Sequence, residues 1–587
     1  MKHHTSHIIL LISCTLILFI SCHRPTEGDG KSIFRYNEPG GIGTLDPAYS
    51  KDQATNWVVS QIYNGLVRLD TALRIEPCIA KSWSISDDGL VYTFALKDSV
   101  YFHKNELFNN NDKTRKVVAS DFVYSFNRIL SDKVASPGMW IFSHVAEVDP
   151  FEAVNDSTFV VRMREPYAPM LSILAMPYCS VVPREVVEHY GEDFRRHPCG
   201  TGPFYMKYWK EGVKLVLRRN EHYFEFDTIK HSSKVTGEPP VLPNQAIKHS
   251  SKVTGEPPVL PNQAIKHSSD QTIHPLPYLD AVAVTFIIDR QTAFLEFVKG
   301  NLDFMNSLDA SYKDEILMPT GKLKPKYSDR IDMVSMPFLN TEYLGFNQES
   351  FLSDITTRQR RLVRQALNCG FDRRKMMRYM RNNVGVPGCK GILPCGLPGY
   401  SDGSSYGYEY NPQRAKELLA EAGFPDGKGL PTLTLSTTSN YLDLCKYIQQ
   451  QLTLVGFDVK IDVNPPAALR EHIAQGKSDW FRASWIADYP DAENYLALFY
   501  SKNHSPAGPN YTRFTSAAFD RLYERAMRET DDSRRLELYR AMDSIVMTEA
   551  PVMPLYYDRI LHFTHKNITG LRSNAMNALD LRYVKKD

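Results

Sequence analysis

The amino terminus carries a short apolar run that ends at Cys22, and this run limits what the rest of the chain can become. One lysine and three histidines precede the uncharged stretch Ile8–Ile20, and Ser21 stands directly before Cys22. A basic head, a short apolar stretch and a small residue are typical of a secretory signal peptide. Because a transmembrane helix needs about 20 apolar residues, this run is too short to span a bilayer. We therefore predict that residues 1–21 are a signal peptide.

Cys22 also predicts that the protein is attached to a membrane. A cysteine directly after the small residue of a cleavage site resembles a bacterial lipobox, in which that cysteine becomes the lipidated first residue of the mature chain. Phe19 departs from the aliphatic residue usual three positions before the cut. The alternative is an ordinary signal peptide with a chance cysteine. The lipobox predicts a protein of the periplasm or cell envelope, anchored to a membrane by lipid on Cys22.

The length and composition predict a folded protein of several lobes. Removing 21 of the 587 residues leaves 566, which is more than one compact core usually holds. The net charge is +2, so no basic excess can drive the counterion release on which nucleic-acid binding depends. We expect no nucleic-acid partner.

Predicted helices and strands interleave along the chain. A helix capped by Ser120 is expected to reach Leu130, and another begins at Pro412 and stops at Gly423. The other predicted elements are strands at 432–436 and 459–463 and helices at 516–529 and 533–548. This pattern predicts a mixed α/β fold.

One segment breaks the pattern, because Ile229–Ala246 is repeated letter for letter as Ile247–Ala264 and a third copy starts at Ile265. The copies are polar and rich in proline, which excludes a continuous helix or a central strand. Stacked repeats need at least three units with a buried face. We therefore predict an exposed loop insertion at residues 229–269.

The sequence offers no signature of catalysis or of a metal centre. Neither a His-Glu-x-x-His helix nor a Gly-x-Ser-x-Gly elbow is present. Seven cysteines remain after Cys22, and their spacing is not that of zinc modules. Cys389/Cys395 and Cys179/Cys199 are the closest pairs in sequence, but spacing does not decide pairing. We predict no enzyme, no cofactor and no metal.

A series of short motifs then follows in order along nearly the whole mature chain. Its members are Leu45–Pro47, Gln61–Val67, Ala80–Trp83, Asp88–Phe94, Val100–His103, Ala119–Val123, Gly200–Phe204, Pro277–Asp280, Phe346–Asn347, Val363–Leu367, Phe371–Arg373, Ala415–Gly423 and Ala550–Tyr557. Each motif alone is weak, but the ordered series is specific. It resembles the oligopeptide and dipeptide class (peptide/nickel) of extracellular solute-binding proteins of bacterial ABC importers, in lipoprotein form.

The resemblance implies an α/β clamshell like that of periplasmic binding proteins, with two lobes that close on a ligand and an additional domain on the first lobe. By that analogy the first lobe comprises residues 31–75, 198–338 and 551–587, with the repeat-containing loop inserted in it. The extra domain comprises residues 76–197, and the second lobe comprises residues 339–550. The class further implies a monomer that captures short peptides and delivers them to ABC permease subunits.

The segment that starts at Arg482 carries the predicted peptide-binding site. In peptide-binding members, a similar strand offers backbone groups to an extended peptide, and the aspartate before a tyrosine receives the α-amino group; here that residue is Asp488. Arg482 matches an arginine that meets the carboxyl end of a short peptide, and Trp485, between Ser484 and Ile486, lines a pocket. From the residues alone, Asp488 caps a turn, Arg482 pairs with a surface carboxylate and Trp485 packs in a core.

Other cargoes and roles stay open at this point. Relatives of the class resemble nickel-chelate, haem or sugar receptors, and His472 and His504 are candidate histidines for a nickel chelate. A receptor that senses peptides without importing them would use the same cleft. The aspartate at position 488 favours a ligand that carries an amine.

Overall fold

The computed structural model describes residues 31–230, 271–306, 309 and 312–587. The predictions for the signal peptide, for Cys22 and for repeat residues 231–269 therefore lie outside the described residues. Within those ranges, no helix combines the length and apolar character needed to cross a membrane.

One large sheet runs through both lobes. Its strands are β1 (Ile33–Asn37), β8 (Phe204–Lys210), β9 (Lys214–Arg219), β12 (Ala281–Thr285), β13 (Phe304–Asn306), β14 (Ile331–Phe346), β15 (Val386–Pro387), β16 (Leu433–Thr437), β17 (Val459–Val463), β18 (Trp480–Ile486) and β19 (Val552–His565). The order is β17-β16-β18-β14-β19-β13-β1-β12-β9-β8, and β15 also pairs with β19. β12 is apolar and buried over its first four residues, as expected for a strand whose two faces are both covered.

The two long strands β14 and β19 connect the lobes. They pair antiparallel, and the first part of β14 lies beside the part of β19 that continues to β13 in the first lobe. The second part of β14 pairs with β18 in the second lobe. The β14–β19 register shifts between Pro337 and Thr341, which interrupts the pairing where the chain passes between lobes. The molecule is an α/β clamshell, as predicted; the domain boundaries themselves stay a prediction.

The extra domain contains its own sheet, in the order β4-β5-β7-β6. The strands are β4 (Ala80–Ile85), β5 (Val91–Leu96), β6 (Phe151–Asn155) and β7 (Thr158–Arg162). β5 alternates between half-buried and buried residues, the two-residue period of a strand with one face on a core. Phe122 and Phe126 of a covering helix pack on Phe159 with ring centroids 5.6 and 5.5 Å apart. The described residues also form three two-stranded ribbons: β2 (Val67–Leu69) with β3 (Ile75–Pro77), β10 (Phe226–Lys230) with β11 (Gln271–Pro275), and β20 (Ile568–Thr569) with β21 (Lys585–Lys586).

The described α-helices cover the faces of these sheets. They are α1 (Gln53–Ile62), α2 (Ala119–Leu130), α3 (Met170–Leu174), α4 (Arg184–Tyr190), α5 (Arg290–Val298), α6 (Lys313–Ile316), α7 (Pro325–Ser328), α8 (Thr357–Cys369), α9 (Arg373–Met380), α10 (Pro412–Glu421), α11 (Leu442–Thr453), α12 (Pro466–Ala474), α13 (Glu493–Leu496), α14 (Ala517–Arg528) and α15 (Asp532–Glu549).

Most predicted elements are present, with one cap corrected. The predicted strands at 432–436 and 459–463 and the two late helices are found within a residue or two. Asn411 caps α10, and Gly423 follows the helix with φ at +91°, as its stop signal indicated. Ser120 is not the cap of α2, because the helix begins at Ala119 and the Asp121 carboxylate accepts the N–H of Val118 at 2.9 Å.

The Gly200–Phe204 motif is explained by close backbone packing. A Cβ at Gly200 would lie 2.1 Å from the Ile62 carbonyl oxygen, and one at Gly202 would lie 2.4 Å from that of Gln61. The Gly202 N–H donates to the Ile62 carbonyl at 2.8 Å. Only glycine permits this approach, which joins the start of β8 to the end of α1.

Candidate ligand-binding site

Strand β18 presents an unpaired edge. β18 pairs with β14 along its whole length, but β16 accompanies its other side only at Leu435–Trp480 and Ser436–Phe481. Beyond Phe481, no strand of the described residues lies on that side. The outer edge of β18 is therefore open from Arg482 onward.

The register shows which backbone groups face this open edge. The Ala487 N–H donates to the Leu339 carbonyl at 2.9 Å, so the odd-numbered residues of this strand direct their backbone groups to β14. In an antiparallel pair, alternate residues direct their N–H and C=O groups to opposite edges. Ser484 and Ile486 consequently point theirs outward, and the Ile486 side chain is 51% exposed.

Asp488 lies just beyond the end of β18 and is held by Asn494. The Asn494 amide Nδ2 donates to Asp488 Oδ2 at 3.3 Å, and its Oδ1 accepts from the Asp488 N–H at 3.1 Å. The Asp488 side chain is exposed, yet the protein around it removes enough hydration to raise the pKa of its carboxyl, which the Asn494 hydrogen bond partly opposes. Asp488 thus borders a water-accessible gap walled by protein.

The wall opposite Asp488 belongs to the extra domain. The ring of Trp140 lies 6.2 Å from that of Tyr489, and the hydroxyls of Tyr167 and Tyr489 are 3.3 Å apart. Burial raises the pKa of Tyr178 to about 12, with the negative charge of Asp488 contributing. Asp488 therefore lies between the second lobe and the extra domain.

Arg482 lies in different surroundings. Its guanidinium pairs with the Glu342 carboxylate on β14 and stacks over the Tyr441 ring, 3.3 Å from the centroid. The Arg482 and Glu342 side chains are 12% and 4% exposed. Burial raises the pKa of Glu342 although Arg482 opposes the rise. A ligand carboxylate would have to share this guanidinium with Glu342.

Trp485 is half-buried, and its indole N–H donates to Asn494 Oδ1 at 2.9 Å. Asn494 thereby connects Trp485 to Asp488, a role that was not predicted from the sequence. The spacing of an asparagine six residues after the aspartate, across a short turn, was the available signal. No sequence signal marked Glu342, because its partner lies on another strand.

Glu493 supports the Asp488 segment from behind. It is 4% exposed, and the hydroxyls of Tyr489 and Tyr523 donate to its carboxylate, while the Tyr167 hydroxyl lies at 3.4 Å. Burial raises its pKa to about 6 against the stabilisation by these hydroxyls. Because Tyr167 belongs to the extra domain, this carboxylate joins the two walls of the gap.

Metal ligands and disulfides do not define the site. Among the described residues, no three histidine, cysteine, aspartate or glutamate side chains are grouped to hold a metal ion. The seven cysteines from Cys78 to Cys445 are unpaired, so neither sequence-adjacent pair forms a disulfide.

Comparisons with known proteins agree with this architecture. The family model for bacterial extracellular solute-binding proteins, family 5 middle, matches residues 74–507. The glutathione-binding protein GsiB of Salmonella typhi is 24% identical over 534 residues, which cover 90% of this chain and 89% of the relative. Structures with the same fold include DppA from Helicobacter pylori in complex with the peptide STSA, at a TM-score of 0.69 and 24% identity over 95% of this chain and 98% of that one. NikZ from Campylobacter jejuni in complex with Ni(L-His) has a TM-score of 0.65 and 20% identity over 93% and 97%.

The family match covers most of the chain, and the overall fold is that of those structures. The chain therefore belongs to family 5 of the bacterial extracellular solute-binding proteins, the substrate-binding components of ABC importers.

Proposed function

We propose that this protein is a lipid-anchored receptor that captures short peptides between its lobes and delivers them to an ABC permease. The observation that carries the proposal is the Asp488 carboxylate, which is exposed at a protein-walled gap and has no cationic partner among the described residues. Asp488 receives the α-ammonium group of the peptide.

The chemistry of the amino end supports this role. An ammonium taken out of water needs a charged or strongly hydrogen-bonding partner, because leaving it unpaired costs several kcal/mol. Asn494 fixes the orientation of the Asp488 carboxylate through its amide and leaves the other carboxylate oxygen for the ligand. A charge-assisted hydrogen bond to that oxygen is stronger than one between neutral groups.

The open edge of β18 supplies the sequence-independent part of recognition. The outward backbone groups of Ser484 and Ile486 match the N–H and C=O groups that any extended peptide offers. Each such hydrogen bond contributes about 1 kcal/mol net. Trp485 lines a pocket beside this edge, and Arg482 meets the ligand's carboxyl end in competition with Glu342.

The anchor and the delivery step rest on the sequence and the family. A lipidated Cys22 would keep the receptor at the membrane that holds the permease. Mass spectrometry of the mature amino terminus tests this part, and an unmodified cysteine or a start elsewhere would contradict it.

Ligands other than peptides are the alternatives to this proposal. Relatives of this fold are described with glutathione and with Ni(L-His). Of the two candidate histidines, His504 is already engaged, with Nε2 3.0 Å from the Phe514 carbonyl. A receptor that senses peptides rather than importing them would share the Asp488 site and differ only in its partner.

Two measurements test the proposal. Native mass spectrometry of the protein purified from its own host should find bound short peptides, whereas a metal chelate or haem would contradict peptide capture. In calorimetry, Asp488→Asn should weaken binding of a short peptide about a hundred-fold, because the ammonium loses its counter-charge.

Asp479→Asn is the matched control. Asp479 is also exposed, but it directly precedes the first residue of β18, whereas Asp488 follows the last. Equal affinities for the two variants would overturn the role of Asp488.

A further inference from the structure

The hairpin formed by β8 and β9 is strongly basic and lies at one end of the large sheet. β8 is the last strand in the order, and no strand of the described residues pairs with its outer edge. Residues 204–219 contain five lysines and arginines and one carboxylate, Glu211. Glu211 pairs with Arg195 and Arg196 at 2.9 and 2.8 Å. The only carboxylate of the hairpin therefore neutralises cations that lie outside it.

Four of the five cations are exposed and unpaired. Lys207, Lys210, Lys214 and Arg218 are on the surface, and none of them makes an ion pair with a residue that the structure describes. Lys210 stands directly opposite Lys214 across the hairpin. Because like charges directly opposite each other destabilise a pair of strands, this arrangement costs stability in the isolated protein.

Two tyrosines lie on the same face as these charges. Leu215 and Leu217 of β9 are fully buried, so the residues that alternate with them face outward. Tyr205 pairs with Arg218 of this outward set, and Tyr208 pairs with the residue between the two leucines. Their side chains are 36% and 49% exposed. The outer face of the hairpin thus combines unpaired cations with exposed aromatic rings.

A β-bulge in β8 keeps the second tyrosine on this face. The register shifts between Met206 and Tyr208, which makes Lys207 an extra residue in the strand. Met206 points inward and packs on the core. Strict alternation from Met206 would turn Tyr208 inward as well, and the bulge prevents this.

Protection of the sheet edge explains only part of the pattern. Lysines and bulges on edge strands prevent pairing with other chains, which accounts for Lys207. Lys214 and Arg218 lie on β9, which has a strand on each side and needs no such protection. Exposed tyrosines promote association rather than prevent it. The outward cations and rings therefore fit a surface that receives a partner.

The tether proposed above ends at the same part of the sheet. Ile33, the first residue of β1, follows Cys22 by eleven residues, which span at most about 40 Å. Ile33, Ala281, Arg218 and Tyr205 are successive register partners across β1, β12, β9 and β8. Neighbouring strands are about 4.8 Å apart, so Tyr205 lies about 14 Å from Ile33. A lipid on Cys22 would keep the hairpin within reach of the bilayer, whereas β17 is the strand at the opposite end of the sheet.

We propose that the outer face of the β8–β9 hairpin contacts the anionic lipid surface of the membrane to which the receptor is tethered. The lysines and Arg218 pair with lipid phosphates, which removes the repulsion between Lys210 and Lys214. The rings of Tyr205 and Tyr208 lie at the level of the headgroups, where amphipathic aromatic side chains concentrate. The contact holds the first lobe of the receptor against the bilayer.

Vesicle sedimentation tests this contact without the anchor. The mature chain carrying Cys22→Ser cannot be lipidated, so any binding comes from the folded protein. It should bind vesicles of phosphatidylglycerol and phosphatidylethanolamine at least about ten-fold more tightly than vesicles of phosphatidylcholine alone. Each basic residue near an anionic surface contributes about five-fold, so replacing Lys207, Lys210 and Lys214 together by glutamine should weaken binding about a hundred-fold. Tyr208→Ser should weaken it less, by about three-fold.

The matched control replaces three exposed lysines of the second lobe by glutamine. Lys416, Lys428 and Lys460 are exposed and make no ion pair within the described ranges, and Lys460 lies on β17. Both triple variants carry the same change in net charge. The control should bind anionic vesicles as the parent Cys22→Ser chain does, and both variants should keep its melting temperature.

Two results would overturn the membrane contact. One is equal binding to the two kinds of vesicle, and the other is an equal loss in the two triple variants. Absence of vesicle binding together with lost peptide uptake in the hairpin variant would also overturn it and would assign the hairpin to the permease. Since six strands separate β8 from β18, peptide affinity should be unchanged in the hairpin variant. Failure of the membrane contact therefore leaves peptide capture at Asp488 standing.

Discussion

Arg482 within β18 and Asp488 just beyond its end were predicted to bind opposite ends of a peptide. Their surroundings in the structure differ. The Arg482 guanidinium is mostly buried, paired with Glu342 and stacked on Tyr441. Asp488 is exposed and receives only the amide of Asn494. One charge is used by the protein itself, and the other is left for a ligand.

The difference follows from where each residue lies. Arg482 is within the sheet, where a charge without a partner is strongly destabilising, so Glu342 on the neighbouring strand neutralises it. Asp488 lies past the end of the strand, where water still reaches it. A carboxylate there tolerates the absence of a cation until a ligand brings one.

The largest expected effect comes from breaking the Arg482 pair. Glu342→Gln should lower the free energy of unfolding by about 3 kcal/mol, because it leaves a mostly buried guanidinium without a counter-charge. Urea denaturation at constant m-value measures the change.

The matched control for that variant is Glu349→Gln. Glu349 pairs with Arg513 at 3.0 Å but is 58% exposed, so its loss should cost at most about 1 kcal/mol. Equal shifts in the two variants would mean that Arg482 does not depend on Glu342.

A second experiment compares the two ends directly through the ligand. Acetylating the amino end of a tripeptide should weaken binding to the wild type about a hundred-fold, whereas amidating its carboxyl end should cost less than about ten-fold, because Glu342 already satisfies Arg482. In Glu342→Gln the guanidinium is freed, and amidation should then cost more. Calorimetry on the four combinations measures this, and a larger wild-type cost for amidation than for acetylation would reverse the comparison.

The sequence predicted the helices and strands better than it predicted which strands and side chains pair with each other. Asn411, Pro412 and Gly423 defined α10 correctly because start and stop signals are local. The open edge of β18 was expected only from family resemblance, since strand order depends on long-range pairing that no local pattern contains. Ser120 failed as a cap because the helix already begins at Ala119, and the Asp121 carboxylate reaches back to accept the N–H of the cap residue Val118.

The candidate site shows the same contrast between residues close in sequence and residues brought together by the fold. Asp488 was predicted from its motif, and its partner Asn494 lies only six residues further along the chain. Glu342 and Tyr178 are 146 and 310 residues away from Asp488 along the chain. They reach the site region only because β14 passes beside β18 and because the extra domain closes the gap. Charge pairing across such separations has no signature in one sequence.

The smallest expected effect is the pH dependence of stability that comes from Glu493, the buried carboxylate next to the Asp488 segment. Burial raises the pKa of Glu493 from 4.5 to about 6, so the folded state holds this proton more tightly than the unfolded chain does. The stabilisation is complete below pH 4.5 and is lost as pH rises through 6, which corresponds to about 2 kcal/mol. The free energy of unfolding of the wild type should therefore fall by that amount relative to Glu493→Gln between pH 4.5 and pH 7.

Tyr523→Phe removes one hydrogen-bond donor to the Glu493 carboxylate, so the decrease in the free energy of unfolding should extend to higher pH. A difference between wild type and Glu493→Gln that does not vary with pH would show that the tyrosine hydroxyls compensate fully for burial.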